Sequence, residues 1–328
     1  MLTRVNKIDL ACGETYLAKY CDDTIIELGD IFMSQEKTLG SRPYAFKNFK
    51  NPSDLNKRVM TICTMSGCPM TCTFCASKNS FKRKLTANEL LEQVDFLINE
   101  GTEKGRHPDP SKTDEFRVLY TRMGEPLLNL DNVIDSMQTL LNKYPNIIFG
   151  LSTCGIKQHI DKLLKYPDIM AHTDFQISLH STKDRERSHL FGQEIGNVIM
   201  TIDEIAIFAK RFYEKFHKPI SLNTILFDGY TYEFKKLLTL LDKQHFWLRL
   251  SPWNKVNGTN FKSLLATDDV IHKKPLSNQN LSSIINEITE LGIAYSYAPA
   301  IDEEIKHNVA CGQAFEAFNI KEYDYVRR

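Results

Sequence analysis

The chain has 328 residues, 42% of them hydrophobic and 25% charged, and its 41 Lys and Arg balance 41 Asp and Glu. This is apolar mass enough for one sizeable domain or two small ones, and it predicts a soluble, folded protein. A formal net charge of zero excludes a general electrostatic attraction to nucleic acid, although a local basic face remains compatible with it. No apolar run has the length of a bilayer span, so no membrane partner is expected. Residues 1–13 lack the apolar stretch of a secretory signal. Eight cysteines in a chain this long do not make a disulfide framework and suit a reducing compartment, so a cytoplasmic location is expected.

Residues 1–57 read as a short N-terminal extension, with one strand expected at 24–28, which carries Glu27, and a polar stretch at 41–56. From Arg58 onward, short β-rich segments alternate with longer amphipathic ones. Strands are expected at 59–63, 116–123, 148–153, 175–179, 220–227 and 247–251, and helices at 87–99, 132–142, 157–164, 198–216, 233–241 and 282–291. Thr86 and Glu89 read as a capping box that opens the first helix. Segment 101–113 reads as an exposed loop, and 255–279 as a long polar connection. Six strands, each followed by a helix, imply an α/β fold: a parallel, right-handed (β/α)6 partial barrel. Chemistry in such barrels belongs at the C-terminal ends of the strands. The expected division is a 1–57 extension, a 58–300 core and a 301–328 C-terminal segment.

Directly after the first barrel strand come Cys68, Cys72 and Cys75, spaced C-x3-C-x2-C, with Phe74 before the last cysteine. Three thiolates can hold three irons of a [4Fe-4S] cluster and leave the fourth open to a ligand. The bland alternatives are core cysteines or a structural zinc site. Structural zinc normally takes four ligands as two pairs, and no Cys-x-x-Cys or His-x3-His partner occurs elsewhere. A zinc protein would be colourless; the cluster reading predicts brown protein with about four irons per chain.

The triplet resembles the signature of the radical SAM superfamily, and further motifs resemble its RlmN and Cfr branch, enzymes that methylate adenine carbons in RNA. These are Phe81-x-Arg-x-Leu-x-x-x-Glu89, Met123-Gly-Glu-Pro-Leu-Leu-Asn129, Leu151-Ser-Thr-x-Gly155, Ile177-Ser-Leu-His180, Pro252-Trp-Asn254 and Ala310-Cys-Gly-Gln313. The resemblance runs through most of 58–318. It implies the cluster on Cys68, Cys72 and Cys75, and S-adenosylmethionine (SAM) held by Gly124, Glu125, Ser152, Ser178, Leu179, His180 and Asn254. A carboxylate such as Glu125 beside the SAM ammonium makes a charge-assisted hydrogen bond. Outside the motifs, Ser152 and Ser178 would read as strand-end hydroxyls that satisfy backbone, and His180 as a structural histidine.

Cys311 matches the family's methyl carrier. The implied mechanism uses two SAM molecules: one methylates the Cys311 thiolate by displacement, and a second is cleaved to a radical that abstracts hydrogen from the thiomethyl group. The carbon radical adds to adenine. The covalent link is resolved when a base takes the ring proton and a second cysteine attacks the carrier sulfur. The implied partners are an RNA substrate, ribosomal or transfer, and an electron donor such as flavodoxin or ferredoxin.

This sequence departs from the family at several places. The second cysteine of the family lies seven residues before the first cluster cysteine, and that place here is Thr61; Cys63 lies five before. Cys63 either takes the role or is a small core residue. Arg122 stands where the family usually has glycine, Cys154 where it has serine, and the N-terminal extension is short for the family's accessory domain. Glu27 matches either a family glutamate proposed as proton acceptor or an ordinary strand glutamate. Lys82, Arg83 and Lys84 read as an RNA-phosphate contact or a solvated basic turn. Two other functions stay open: an RlmN-like enzyme for a non-ribosomal or small-molecule substrate, and a cluster-bearing RNA-binding protein without methyl turnover.

Overall fold

The computed structural model describes residues 2–10, 13–33, 56–265, 279–297, 307, 309 and 313–317. Cys311 and Cys12 lie outside them, as does most of the polar stretch expected at 41–56. Three antiparallel strands come first: β1 (Thr3–Leu10), β2 (Gly13–Lys19) and β3 (Ile25–Met33). β4 (Lys57–Ile62) follows, then a two-residue ladder of β5 (Met65–Ser66) with β6 (Arg83–Lys84) and helix α1 (Ala87–Ile98). The chain continues through β7 (Glu115–Tyr120), α2 (Leu130–Lys143), β8 (Ile148–Thr153), the short helices α3 (Lys157–Ile160) and α4 (Pro167–Ala171), and β9 (Thr173–Ser178). Next are α5 (Asp184–Phe191), α6 (Ile202–Phe216), β10 (Ile220–Ile225), α7 (Phe234–Leu237) and β11 (Phe246–Ser251). Last among the described residues come α8 (Gln279–Glu290), β12 (Tyr295–Tyr297) and α9 (Ala314–Ala317).

One sheet carries ten of these strands in the order β1-β2-β3-β4-β7-β8-β9-β10-β11-β12. Pairing is antiparallel from β1 to β4 and parallel from β4 onward. The six expected barrel strands are β4 and β7 to β11. Beyond expectation, β12 adds a seventh parallel strand, and the N-terminal region supplies three strands rather than one, continuous with the barrel sheet.

Strand alternation explains the lumen. In β7, Phe116, Val118 and Tyr120 are buried, and Glu115, Arg117 and Leu119 line the cavity on the other face. In β11, Phe246, Leu248 and Leu250 are buried, and Trp247, Arg249 and Ser251 line it. A period of two thus sorts one set of apolar side chains to the helix layer and sends the polar ones, with Leu119 and Trp247, to the lumen. Each large apolar side chain buried this way contributes about 1.5–3 kcal/mol. The helices answer with their own period: Leu90, Val94 and Leu97 of α1, and Ile202, Ile205, Phe208, Ala209 and Phe212 of α6, are buried. Capping boxes open both, from Thr86 with Glu89 and from Thr201 with Glu204, and satisfy N–H groups that have no partner within the helix.

Segment 101–113, expected as an exposed loop, is exposed only in part, at 103–105 and 111–112. It opens in a π-helical turn, Asn99–Glu103, and packs over a fully buried ion pair. Arg58 donates to Asp30 through Nη2 at 2.6 Å and Nε at 3.1 Å, and its remaining donors reach Thr102 Oγ1, Pro108 O at 2.8 Å and Leu97 O at 3.0 Å. A buried guanidinium needs all of these acceptors, so the polar segment is drawn inward. Arg83 of the basic turn is likewise committed to Glu89 and Asp22.

Candidate active site

The loop between β4 and α1 is fixed at both ends before it reaches the cysteines. Thr64 N donates to Met123 O at 2.9 Å, and Asn129 Nδ2 donates to Thr64 O at 2.9 Å and Leu85 O at 2.7 Å. Gly67, at φ +67, leaves no room for a side chain, since a Cβ there would stand 1.8 Å from Ser80 O. Beyond it the loop leans on the β9 to α5 region: Thr73 N donates to Leu190 O at 2.8 Å, and Thr71 Oγ1 to Gly192 O at 2.7 Å. Trp253 Nε1 donates to Phe74 O at 3.1 Å and ties the loop to the end of β11.

These anchors place Cys68, Cys72 and Cys75 on the wall of a cavity of about 480 Å³ at the C-terminal ends of the barrel strands. Gly124, Glu125, Ser152, Ser178, His180 and Asn254 line the same cavity. So do Arg122, Cys154, Trp253 and Gln313. Of the other residues singled out in the sequence, Leu179 is buried and meets the site only through backbone, its N–H donating to Asn223 O at 2.8 Å. Glu27 and Cys63 are fully buried and lie off the cavity wall.

The Glu125 carboxylate is held on both oxygens. Oε1 accepts from Leu127 N at 3.1 Å and from the Thr153 hydroxyl, and Oε2 accepts from Cys154 N at 2.9 Å. Burial raises its pKa against these hydrogen bonds. Thr153, inside the Leu151-Ser-Thr-x-Gly155 motif, is a site residue to which the sequence assigns no role, and Cys154, which stands in place of a family serine, contributes its backbone amide. Gly124 precedes this carboxylate at φ +101, where an L side chain is strained.

His180, two residues beyond β9, sits in the left-handed region, φ +59. Its Nδ1 accepts from Ile225 N at 3.1 Å, which fixes the tautomer with any proton on Nε2. Its ring meets Phe74 edge-on at 4.9 Å. Burial, then the Arg187 charge, push its pKa down to about 3, so the ring is neutral at physiological pH. Lower in the lumen, Gln176 Nε2 donates to Ser152 Oγ at 2.7 Å and Ser251 Oγ to Asn223 Oδ1 at 2.7 Å. A charged ladder stands beneath: Lys57 to Glu115 at 3.1 Å, Arg117 to Glu115 at 2.5 Å and Arg117 to Asp174 at 2.6 Å.

The donor set fits an iron–sulfur cluster. Burial raises all three thiols, Cys68 to about 12, and neighbouring thiolates push Cys68 and Cys72 further in the same direction. Three thiolates gathered here need a strongly cationic partner, which cluster iron supplies. No three His, Cys, Asp or Glu side chains among the described residues converge on a point that one ion would occupy. A cluster does not require it, because each thiolate binds a different iron.

A partial barrel with a three-cysteine loop after its first parallel strand, opening on a cavity that the strand ends line, is the architecture of one class of enzyme. A family model described as the Radical SAM superfamily matches residues 62–241, more than half of the chain. A crystal structure of a radical SAM methyltransferase from Sphaerobacter thermophilus covers 95% of this chain and 80% of its own, with TM-score 0.69 and 19% identity, which shows the shared fold. Probable dual-specificity RNA methyltransferase RlmN of Pseudothermotoga lettingae is 30% identical over 263 residues, covering 77% of this chain and 67% of the relative. The protein of the same description from Chlorobaculum tepidum is 28% identical over 267 residues, covering 77% and 64%. The chain belongs to the radical SAM superfamily and, within it, to the RlmN-like methyltransferases, whose cofactors are a [4Fe-4S] cluster and SAM. It spans about two thirds of the length of these relatives.

Proposed function

We propose that this protein is a radical SAM methyltransferase that carries a methyl group on Cys311 and delivers it to an adenine carbon, C2, in ribosomal or transfer RNA. The observation that supports this reading most directly is the convergence of Cys68, Cys72, Cys75, Gly124, Glu125, Ser152, Ser178, His180 and Asn254 on one cavity. In this reading the three thiolates hold the cluster. Glu125 accepts from the SAM ammonium, while Thr153, Leu127 and Cys154 keep the carboxylate in place. The Gly124 backbone lies close to the cofactor, and Ser152, Ser178, Leu179, neutral His180 and Asn254 complete its contacts. When bound, the cluster supplies the electron, drawn from a flavodoxin- or ferredoxin-like donor, that cleaves SAM. Cys311 lies outside the described residues, but Val309 and Gln313 on either side of it are buried at the barrel, and Gln313 lines the cavity. Cys63 serves as the resolving thiol. The working division is an N-terminal extension to residue 57, a core to 300 and a carrier segment from 301.

The test is mass spectrometry of anaerobically reconstituted protein incubated with SAM bearing a deuterated methyl group. Label on Cys311 is the expected result. A Cys311 without label, in protein that still forms 5'-deoxyadenosine, would remove methyl transfer and leave a radical enzyme of another reaction.

One observation favours a second reading, an RNA-binding protein that stalls before release: the resolving position is Thr61, and Cys63 is wholly buried. RNA covalently trapped on purified protein would support it.

A further inference from the structure

Two side chains, Arg122 and Glu27, meet the chain on either side of residue 311, at Val309 and Ala314. Arg122 follows β7 and is 6% exposed. Its Nε donates to Thr61 Oγ1 at 2.8 Å and its Nη1 to Val309 O at 2.9 Å. The same Nη1 stands 3.6 Å from Glu27 Oε1 on β3. The other oxygen of Glu27 accepts from Ala314 N at 3.1 Å. Gly29 makes the space: a Cβ there would stand 2.4 Å from Arg122 Nη2 and 2.6 Å from Thr61 Oγ1.

A pair this buried persists only when its remaining donors and acceptors are satisfied. Here a carbonyl at 309 and an amide at 314 are among the groups that satisfy them, and these two residues join the polar network of β3, β4 and the end of β7. We infer that Arg122 and Glu27 are positioning residues, a clamp that fixes the C-terminal segment against the sheet from both sides of position 311. The purpose of the clamp, presenting the carrier thiol, rests on the proposed function; the clamp itself rests on Val309 and Ala314. Thr61 belongs to it as well. A hydroxyl accepts the guanidinium N–H well, and a thiol does so only weakly, so threonine at 61 suits the contact with Arg122. Glu27, engaged by an amide and a guanidinium, acts as an acceptor that holds backbone.

Hydrogen exchange read by mass spectrometry on the full-length, anaerobically reconstituted protein tests this, paired with deuteromethyl labelling of Cys311. In Glu27→Ala and Arg122→Met, peptides spanning 307–317 are expected to exchange about tenfold faster than in the parent, with labelling reduced by a similar factor. Glu27→Gln keeps an oxygen for Ala314 N but takes up no proton, and it is expected to return both readouts to within about threefold of the parent. Thr61→Val removes only the hydroxyl partner and is the softer probe where Arg122→Met does not fold; about threefold faster exchange is expected. Unchanged exchange across 307–317 in the Glu27→Ala and Thr61→Val variants would overturn the clamp, as would Glu27→Gln behaving like Glu27→Ala. Exchange that responds as expected while the parent leaves Cys311 unlabelled would support the clamp and overturn the methyl-carrier function instead.

Discussion

The Cys63 thiol donates to the backbone carbonyl of Glu27 at 3.0 Å, two residues along the chain from each member of the Gly29 and Thr61 pair of β3 and β4. Gln93 straps the same residue through its backbone, accepting from Cys63 N at 2.8 Å and donating to Cys63 O at 3.0 Å. Burial, and then the Glu27 charge, push the thiol pKa well above its ordinary value. Resting enzyme should therefore protect Cys63: at pH 8, alkylation is expected to be more than about a hundredfold slower at Cys63 than at exposed Cys21. Peptide mass spectrometry after timed iodoacetamide treatment measures the ratio. A resolving role requires the contact with Glu27 to open during turnover, so Cys63→Ala is expected to accumulate RNA-crosslinked protein; unchanged turnover would take Cys63 out of the mechanism.

Gly124 couples the cavity floor to the cluster loop. At φ +101 it holds a conformation that L residues avoid, and a Cβ would stand 2.5 Å from Thr64 Oγ1 and 2.8 Å from Met65 Cβ. Gly124→Ala must move the start of the cysteine loop or the turn that carries Glu125, at a cost of about 1–3 kcal/mol. A thermal melt should show the loss, and calorimetric titration should show SAM affinity falling by at least about tenfold. A variant that melts and binds like the parent would mean that the turn relaxes freely.

Much of this arrangement was readable from residues alone, because the parallel strands alternate cleanly and the capping box at Thr86 and Glu89 marks its helix. The N-terminal strands were harder for a physical reason. β2 buries Glu14 and Thr15 among apolar side chains, and β1 is an edge strand whose exposed residues include Thr3, Arg4, Asn6 and Asp9, so neither displays the apolar alternation that reveals a half-buried strand. The inward turn of segment 101–113 depends on Arg58 and Asp30, distant in sequence and paired only by the fold. The seclusion of Cys63 and Glu27 and the left-handed backbone of His180 are tertiary facts of the same kind, with no local signal.

Glu125 should make stability and binding respond to pH in opposite ways. Its pKa in the folded protein lies above the ordinary 4.5, chiefly through burial. The folded state thus binds the proton more tightly than the unfolded chain does. The stability this provides is complete below 4.5 and is lost as pH rises through the raised value. Glu125→Gln removes the titration, so the variant's urea midpoint should stay flatter than the parent's as pH rises above 4.5. Affinity for SAM should move the other way, since only the ionised carboxylate pairs with an ammonium; the variant is expected to bind SAM about ten- to a hundredfold more weakly at pH 8. A parent protein whose midpoint tracks that of Glu125→Gln across this range would contradict the buried, proton-retaining carboxylate.

His180 gives the opposite slope. Its pKa falls from 6.5 to about 3 because the ring is buried and faces the Arg187 charge. The unfolded chain therefore binds a proton that the folded protein refuses between these values. The resulting stability is fully present above 6.5 and is lost progressively as pH falls toward 3, to a total on the order of a few kcal/mol. The cause is geometric. Nδ1 is spent on Ile225 N, and the ring is enclosed by Phe74 and Phe191, so protonation would strand a cation among aromatic edges. Asparagine tolerates the left-handed backbone and keeps an acceptor for the Ile225 amide. His180→Asn should fold, lose part of the apolar packing around the ring, and show a shallower fall in urea midpoint between pH 6.5 and pH 4 than the parent. Equal slopes in the two proteins would assign the acid sensitivity to other groups and would remove the neutral, enclosed imidazole as the reason the β9 end holds its shape beside the cluster loop.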